Sequence, residues 1–486
     1  MRKNKLLIEI VSFCFIRFLF SEVKDFCEWK IIMGQDFLYT FTGNPFVDAG
    51  IWAICEWSGK KKPEEIKIED LKEIVSDVVP IYLNSEWSKS LYSFFPNNPV
   101  TNPSVKNKNQ RLHEYLESLI SQIGPLDISL SGNCVTCGRR NVEQVRTKTE
   151  IPLIGSGGMI NYFPSGQSGA DYCPACTFAV QFSPLVSYSC VKLLLLHSNS
   201  EKVMHYWAER AVKDIQRQIS ANNYTGCYDE GYKNPVNALF HIIEDTILRY
   251  EENWVTENPS INMYHFTNYI QGPDLDIYTV PTPVFRFLAY VKQLDQSSEW
   301  MKIVRRGYFN WDKIKEGDEY KNRGNSVYIN LLKGHSIVRY FIDNKTRQVY
   351  GDWELLEFYL KEVRNMGDKR LGTLKKVGDS ISEYIKDTQN IKRLNQLEMA
   401  NNFATFRNLL RFIEKDRIKE GSQDSLFTLE EFMEDLFPEG VLGWRETQDL
   451  LLFRIYENLH NWLVEQDALK SQLINEEEET EISLEE

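Results

Sequence analysis

The chain has 486 residues, a formal net charge of −13, and 42% apolar with 13% aromatic content. That content excludes a wholly disordered chain, and the length implies two to four domains with sizeable cores. The acidic balance argues against indiscriminate nucleic-acid binding, but seven Glu and no base in residues 475–486 supply about half of it, which leaves room for local basic tracts.

At the N-terminus, Arg2, Lys3 and Lys5 before an apolar run imitate a signal peptide. Glu9 and Arg17 interrupt that run, no small-residue cleavage site follows, and a membrane span needs about 20 apolar residues. Residues 1–32 are therefore expected to be peripheral or spurious, with Met33 as an alternative start, and the protein to be cytoplasmic. Nine Cys are an odd count; Cys14, Cys27, Cys55, Cys190 and Cys227 are scattered in mostly apolar contexts, as reduced thiols of a reducing compartment would be.

An aromatic, β-favouring stretch from Phe37 is predicted to be a strand that breaks at Gly43-Asn44-Pro45, with a helix from Val47 or Asp48 towards Trp57. Backbone N–H groups at that helix start, behind Thr42, Gly43 and Asn44, suit a phosphate; an ordinary strand–turn–helix junction explains the same residues equally well. Residues 64–79 form an amphipathic pattern with Ile66, Ile68, Leu71, Ile74, Val75 and Val78 on one face. An Asn/Pro-rich loop over 96–103 precedes a helix over 111–123.

Cys134-Val-Thr-Cys137-Gly138 and Cys173-Pro-Ala-Cys176 are two Cys-x-x-Cys knuckles separated, after Gly138, by 34 residues. Two knuckles close a four-thiolate shell around one tetrahedral Zn²⁺, with each sulfur about 2.3 Å from the ion. Such a shell leaves no position open for water, so one structural zinc per chain is expected, in a finger spanning 130–180. Two disulfides or two redox pairs are the alternatives; a redox site needs only one pair. Gly155, Gly157, Gly158, Pro164, Gly166 and Gly169 mark the intervening span as a turn-rich insertion.

Beyond the finger, 178–197 suits a buried strand or helix. Helices are predicted over 200–219, 235–249 and 284–294, two helical pieces meeting at a turn over 328–340, and a helix over 353–363. Helical patterns follow at 380–387, 391–419, 428–436 and 445–468, with short loops that favour an antiparallel bundle. The predicted fold is α+β: a mixed domain over 33–360 with a four-cysteine zinc-finger insertion, a C-terminal α-helical bundle over 361–469, and a solvated, disordered acidic tail over 470–486.

No enzyme signature is present. Gly155-Ser-Gly157-Gly158 lacks the Lys-Ser/Thr pair of a P-loop, and the acids Glu430, Glu431, Glu434 and Asp435 fit the outer face of a helix. A non-catalytic protein is expected. Between Lys361 and Glu420, fourteen Lys/Arg face nine Asp/Glu. Lys369, Arg370, Lys375 and Lys376, beside Gly372 and Gly378, are predicted to form a mobile basic loop. Arg305, Arg306, Lys321 and Arg323, near Tyr308, Phe309 and Trp311, form a second patch suited to backbone contact and base stacking. A solvated mixed-charge face is the alternative for both.

The stretch Phe41-Thr42-Gly43-Asn44-Pro45-Phe46-Val47-Asp48, the two Cys-x-x-Cys pairs and Asn161-Tyr162-Phe163-Pro164 together resemble the CRISPR-associated CXXC–CXXC family, most specifically over 37–57 and 130–185. The resemblance implies a large subunit of a type I-B surveillance complex (Cascade). Such a subunit works beside crRNA, reads the motif (PAM) flanking target double-stranded DNA, stabilises the R-loop, and docks a helicase–nuclease in antiviral defence. It also implies backbone and repeat-processing subunits as partners, and no membrane. On that reading Asn44 is a polar reader or phosphate contact, and Met366 or Met399 could start an internally translated small subunit. A zinc-stapled protein–protein scaffold that binds no nucleic acid remains the rival.

Overall fold

A computed structural model describes residues 38–123, 134–138, 145–154, 169–249, 259–269, 272–308 and 319–484. Features expected at 1–37, in the Gly155–Gly158 stretch, at Asn161–Pro164, and at Phe309 and Trp311 lie outside the described residues. The chain divides into two compact units: residues to Pro235 with Pro259–Thr279, and Val236–Asn258 with Val280 onward.

In the first unit the central element is helix α1 (Pro45–Trp57). Asn44 caps it, its side chain accepting from the Phe46 and Val47 N–H groups, and Pro45 takes the first helical position, where a missing N–H costs nothing. Every residue from Phe46 to Cys55 is buried, so α1 is covered on all sides. Around it lie α2 (Ile68–Tyr82), α3 (Ser88–Phe94), α4 (Lys108–Ser121), α5 (Pro174–Val180) and α6 (Glu201–Ser220). Helix α2 buries Leu71, Ile74, Val75 and Val78, as its period predicts.

A sheet covers the remaining side of this core. Strands β1 (Tyr188–Cys190), β2 (Lys192–Ser198), β3 (Ile261–Thr267) and β4 (Asp274–Val280) lie in that order. β1 and β2 pair antiparallel, as do β2 and β3, with Leu193 opposite Phe266 and Leu195 opposite Tyr264. Phe266 meets Phe46 and Phe94 edge-on, each at 5.1 Å between ring centroids, a geometry that adds to simple burial. The 178–197 stretch thus resolves into the end of α5, a 3₁₀ turn (Ser183–Val186), β1 and β2. The strand predicted from Phe37 does not form over the described Leu38–Phe41. There the chain is anchored by a side chain instead, the Tyr39 hydroxyl donating to the Ala175 carbonyl at 3.0 Å.

The second unit contains α7 (Pro235–Arg249), α8 (Thr282–Gln293), α9 (Ser297–Arg306), α10 (Ser326–Leu332) and a short hairpin, β5 (Ile342–Asp343) with β6 (Gln348–Val349). Its aromatic centre joins Phe287, Trp300 and Tyr359, with Phe287 edge-on to Trp300 at 5.2 Å. From Trp353 onward every described element is helical: α11 (Trp353–Glu362), α12 (Asp368–Thr388), α13 (Ile391–Met399), α14 (Phe403–Lys419), a π-helical turn (Glu431–Leu436) and α15 (Trp444–Leu484). The predicted 391–419 helix is two, because Asn402 caps α14 through the Thr405 N–H. Helix α15 carries on through the glutamate run expected to be a tail. Among the described residues no helix is long and apolar enough to cross a membrane.

A further local expectation is corrected. The segment 369–376 is not a mobile loop but the start of α12, because Leu371, Leu374, Val377, Ile381 and Ile385 recur at helical spacing and are all buried. Gly378, which suggested a break, serves close packing: a Cβ there would lie 2.8 Å from Arg454 Cβ on α15. On an exposed helix Gly→Ala stabilises by about 1 kcal/mol. Here the sign reverses, and Gly378→Ala is expected to lower the midpoint of thermal unfolding; a raised midpoint would show that the two helices are not held at this distance.

Candidate metal centre

Each cysteine pair is shaped by its own backbone. In the first, the Gly138 N–H closes on the Cys134 carbonyl at 3.1 Å, and Gly138 takes a φ of +70°, a left-handed conformation that glycine adopts without a Cβ clash. In the second, Cys173 is the N-cap of α5 and Pro174 its first residue, so the helix start itself orients Cys173 and Cys176. The halves are joined by the Val135 N–H donating to the Asp171 carbonyl at 2.8 Å and the Cys173 N–H to Cys134 Sγ at 3.3 Å.

The four sulfurs lie within 4.8 Å of one another. All four cysteines are unbonded thiols, so neither alternative disulfide is present. Bonds of about 2.3 Å to one ion put the corners of a sulfur tetrahedron about 3.8 Å apart. The observed set needs little adjustment to reach that. Cys134, Cys173 and Cys176 are buried and Cys137 partly so. The hydrogen bonds the four sulfurs share pull the Cys134 and Cys173 thiols below their ordinary range and push Cys137 and Cys176 above it. Thr136 Oγ1 donates to Cys176 Sγ at 3.1 Å, a hydrogen bond of the kind that tunes a ligating sulfur. The cluster can hold a metal ion, and an all-sulfur donor set suits zinc.

The centre is welded to α1. A Cβ on Gly50 would lie 1.8 Å from the Ala179 carbonyl oxygen, so α1 and α5 meet at a distance only glycine permits. Tyr172, next to Cys173, accepts from Asn44 Nδ2 at 2.9 Å. The returning strand of the insertion is fixed by a two-hydrogen-bond bridge between Arg146 and Ala170, at 2.9 and 3.0 Å. Glu150 accepts from Arg146 at 2.6 Å, and its carbonyl takes the Gln181 Nε2 donor at 2.9 Å.

Thr42, Gly43 and Asn44 come together at the start of α1, but their polar groups are engaged internally. The Asp48 carboxylate, 1% exposed, accepts from Thr42 N and Oγ1 at 2.9 and 2.7 Å and from Gly43 N at 2.9 Å. His197 donates from Nε2 to the same carboxylate at 2.9 Å, and Phe41 stacks on its ring. Asn44 spends Oδ1 on the cap and Nδ2 on Tyr172. The three residues therefore join the entering chain, α1 and the second knuckle. Gly50 and Tyr172 escaped the sequence reading, and Asp48 entered it only as a candidate helix start and as the end of the Phe41–Asp48 stretch, not as a buried acceptor; its signal was an acid following Asn-Pro in an otherwise apolar helix.

The basic residues fall in the second unit. Arg305 and Arg306 end α9, where Arg306 lies over the Tyr350 ring at 4.5 Å from its centroid. Lys321 closes a 3₁₀ turn, and the Arg323 and Tyr320 carbonyls take the Asn237 side-chain amide at 2.6 and 2.8 Å. On α12, Lys369 pairs with Glu430 and Glu434, and Lys376 with Glu431, at 2.6, 3.2 and 2.9 Å. Arg370 is half-buried, and burial pushes its pKa down. Lys375 is exposed.

Residues 127–188 match the family model described as CRISPR-associated protein (Cas_CXXC_CXXC). No curated protein and no solved structure matches the chain. The matched segment contains both cysteine pairs and α5, and it supports a CRISPR-associated protein of the CXXC–CXXC kind.

Two substitutions test this construction. Gly50→Ala should lower both the thermal midpoint and the metal retained after dialysis, because α5 must shift with its cysteines; unchanged metal content would separate the centre from α1. Asp48→Asn presents an N–H₂ to four converging donors and should cost about 2–3 kcal/mol in urea unfolding, whereas a loss below about 0.5 kcal/mol would mean the buried network is not formed.

Proposed function

We propose that this protein is the non-catalytic large subunit of a type I-B CRISPR RNA-guided surveillance complex. The observation that carries the reading is the coincidence of the four-sulfur cluster with the segment matching the CRISPR-associated family. In this role Cys134, Cys137, Cys173 and Cys176 hold one structural Zn²⁺ per chain. The ion would staple the two halves of the finger, and its closed thiolate shell would leave no position for a reacting water.

On this reading the subunit is cytoplasmic and assembles with crRNA, the Cascade backbone and the repeat-processing subunit. It reads the flanking motif of double-stranded DNA, stabilises the opened strands and recruits the helicase–nuclease. Sequence specificity comes from base pairing by the guide, and the protein supplies shape and charge. Lys369 on α12 suits the displaced strand: its acidic partners Glu430 and Glu434 are solvent-exposed side chains, and a phosphate backbone competes for ion pairs so placed.

One observation favours a second reading. Lys369 and Lys376 are matched by carboxylates, which lowers the charge that α12 offers to phosphate and fits a zinc-stapled protein–protein scaffold. Affinity purification of the tagged protein from its native host, with sequencing of bound RNA and metal analysis, separates the two. The surveillance-complex reading expects short repeat-derived RNAs, companion subunits and about one zinc per chain; zinc without RNA or companion subunits would leave the scaffold.

A further inference from the structure

An open groove of about 780 Å³ lies in the first unit, between α3, the loop at Val100–Thr101, the start of α4 and the end of β3. Its volume is that of a small-ligand site. Lys89 and Lys108 line it with Tyr92 and Tyr269, and among the described residues none of its lining side chains is acidic, although the protein carries a net charge of −13. The α4 N-terminus adds to this sign. Asn107 makes no side-chain capping bond and the first turn holds no acid, so the partial positive end of a 14-residue helix is left unneutralised at Lys108. The Lys108 ammonium spends one proton on the Val100 carbonyl, at 2.7 Å, which fixes its position and leaves two donors.

The aromatic wall is fixed as well. Tyr92 and Tyr269 have ring centroids 5.8 Å apart at 36°, so neither covers the face of the other, and Tyr269 is 36% exposed. Asn268, fully buried, holds Tyr269 in place. Its N–H donates to Ser93 O at 2.9 Å, its Nδ2 to Phe94 O and Lys148 O at 2.8 and 2.9 Å, and its Oδ1 accepts from Leu153 N at 3.1 Å. A partly exposed ring beside two lysines and a helix start without a side-chain cap suits an unstacked base and its phosphate.

We propose that this groove takes a nucleotide of a single strand, its base against Tyr269 and Tyr92 and its phosphate towards Lys89 and Lys108. The proposal rests on the nucleic-acid role above and places one contact of it on the first unit, whereas α12 belongs to the second. The groove reads the π-face and the backbone, so it takes any base.

The test is fluorescence anisotropy of the full-length protein with 5′-labelled oligothymidylate and oligouridylate of fifteen nucleotides, across a salt series. Lys89→Ala is expected to flatten the salt slope by about one unit, and Tyr269→Ala to weaken binding at least about fivefold, the low end of base stacking. Tyr269→Phe, which keeps the ring, should bind as the parent does. Circular dichroism and metal content check that each variant is folded. A parent that binds both strands while Lys89→Ala and Tyr269→Ala stay within twofold of it overturns the groove and leaves the surveillance-complex reading intact. A parent that binds neither strand also overturns the groove, and whether the purified complex carries RNA then decides the broader reading separately. Binding of only one of the two oligomers, with the variants weakened, assigns the groove to DNA or to RNA.

Discussion

The close approach of α5 to α1 is the constraint from which the first unit follows. The Ala179 carbonyl occupies the space a side chain on residue 50 would need, so the helix carrying Cys173 and Cys176 is seated on a helix buried from Phe46 to Cys55. Everything around that contact is arranged to keep it. Asn44 caps α1 and also holds Tyr172, Tyr39 reaches the Ala175 carbonyl, and Asp48 gathers the chain that enters α1. A metal held by the four sulfurs would add a covalent-strength tie between the first knuckle and α5.

This arrangement changes what the Thr42–Asn44 turn does. A helix start with free N–H groups suits a phosphate, and the sequence allowed that reading as readily as an ordinary junction. In the folded chain the donors are consumed by Asn44 Oδ1 and the Asp48 carboxylate. A buried carboxylate with four donors is costly to disturb, so these residues position the finger from within. The groove proposed above to take a phosphate lies elsewhere in this unit, lined by Lys89 and Lys108 and by no acid among the described residues.

The parts that were legible in the sequence are those fixed by local pattern. The cysteine pairs announce themselves by spacing, and the amphipathic helices by the 3.6-residue period of residues such as Leu71, Ile74, Val75 and Val78. The parts that were not legible depend on distant neighbours. Gly378 weakens a local helix prediction, yet it stands within α12 as a glycine because Arg454, 76 positions later, takes the room a side chain would need. Leu38–Phe41 has strand-forming residues but forms no strand, and the Tyr39 hydroxyl anchors it on Ala175. Lys369 and Lys376 read as an uncompensated basic tract because their carboxylates come from Glu430, Glu431 and Glu434, more than 50 residues away. Tyr269 gave no signal at all, since its place is set by Asn268 reaching α3 and the residues that follow the first knuckle.

X-ray absorption at the zinc edge, on protein purified without added metal, addresses the central claim most directly. The account predicts a single zinc environment of four sulfurs at about 2.3 Å, lost when Cys173 is replaced by Ser. Nitrogen or oxygen in the first coordination sphere, or a protein that keeps its fold and holds no metal, would contradict it.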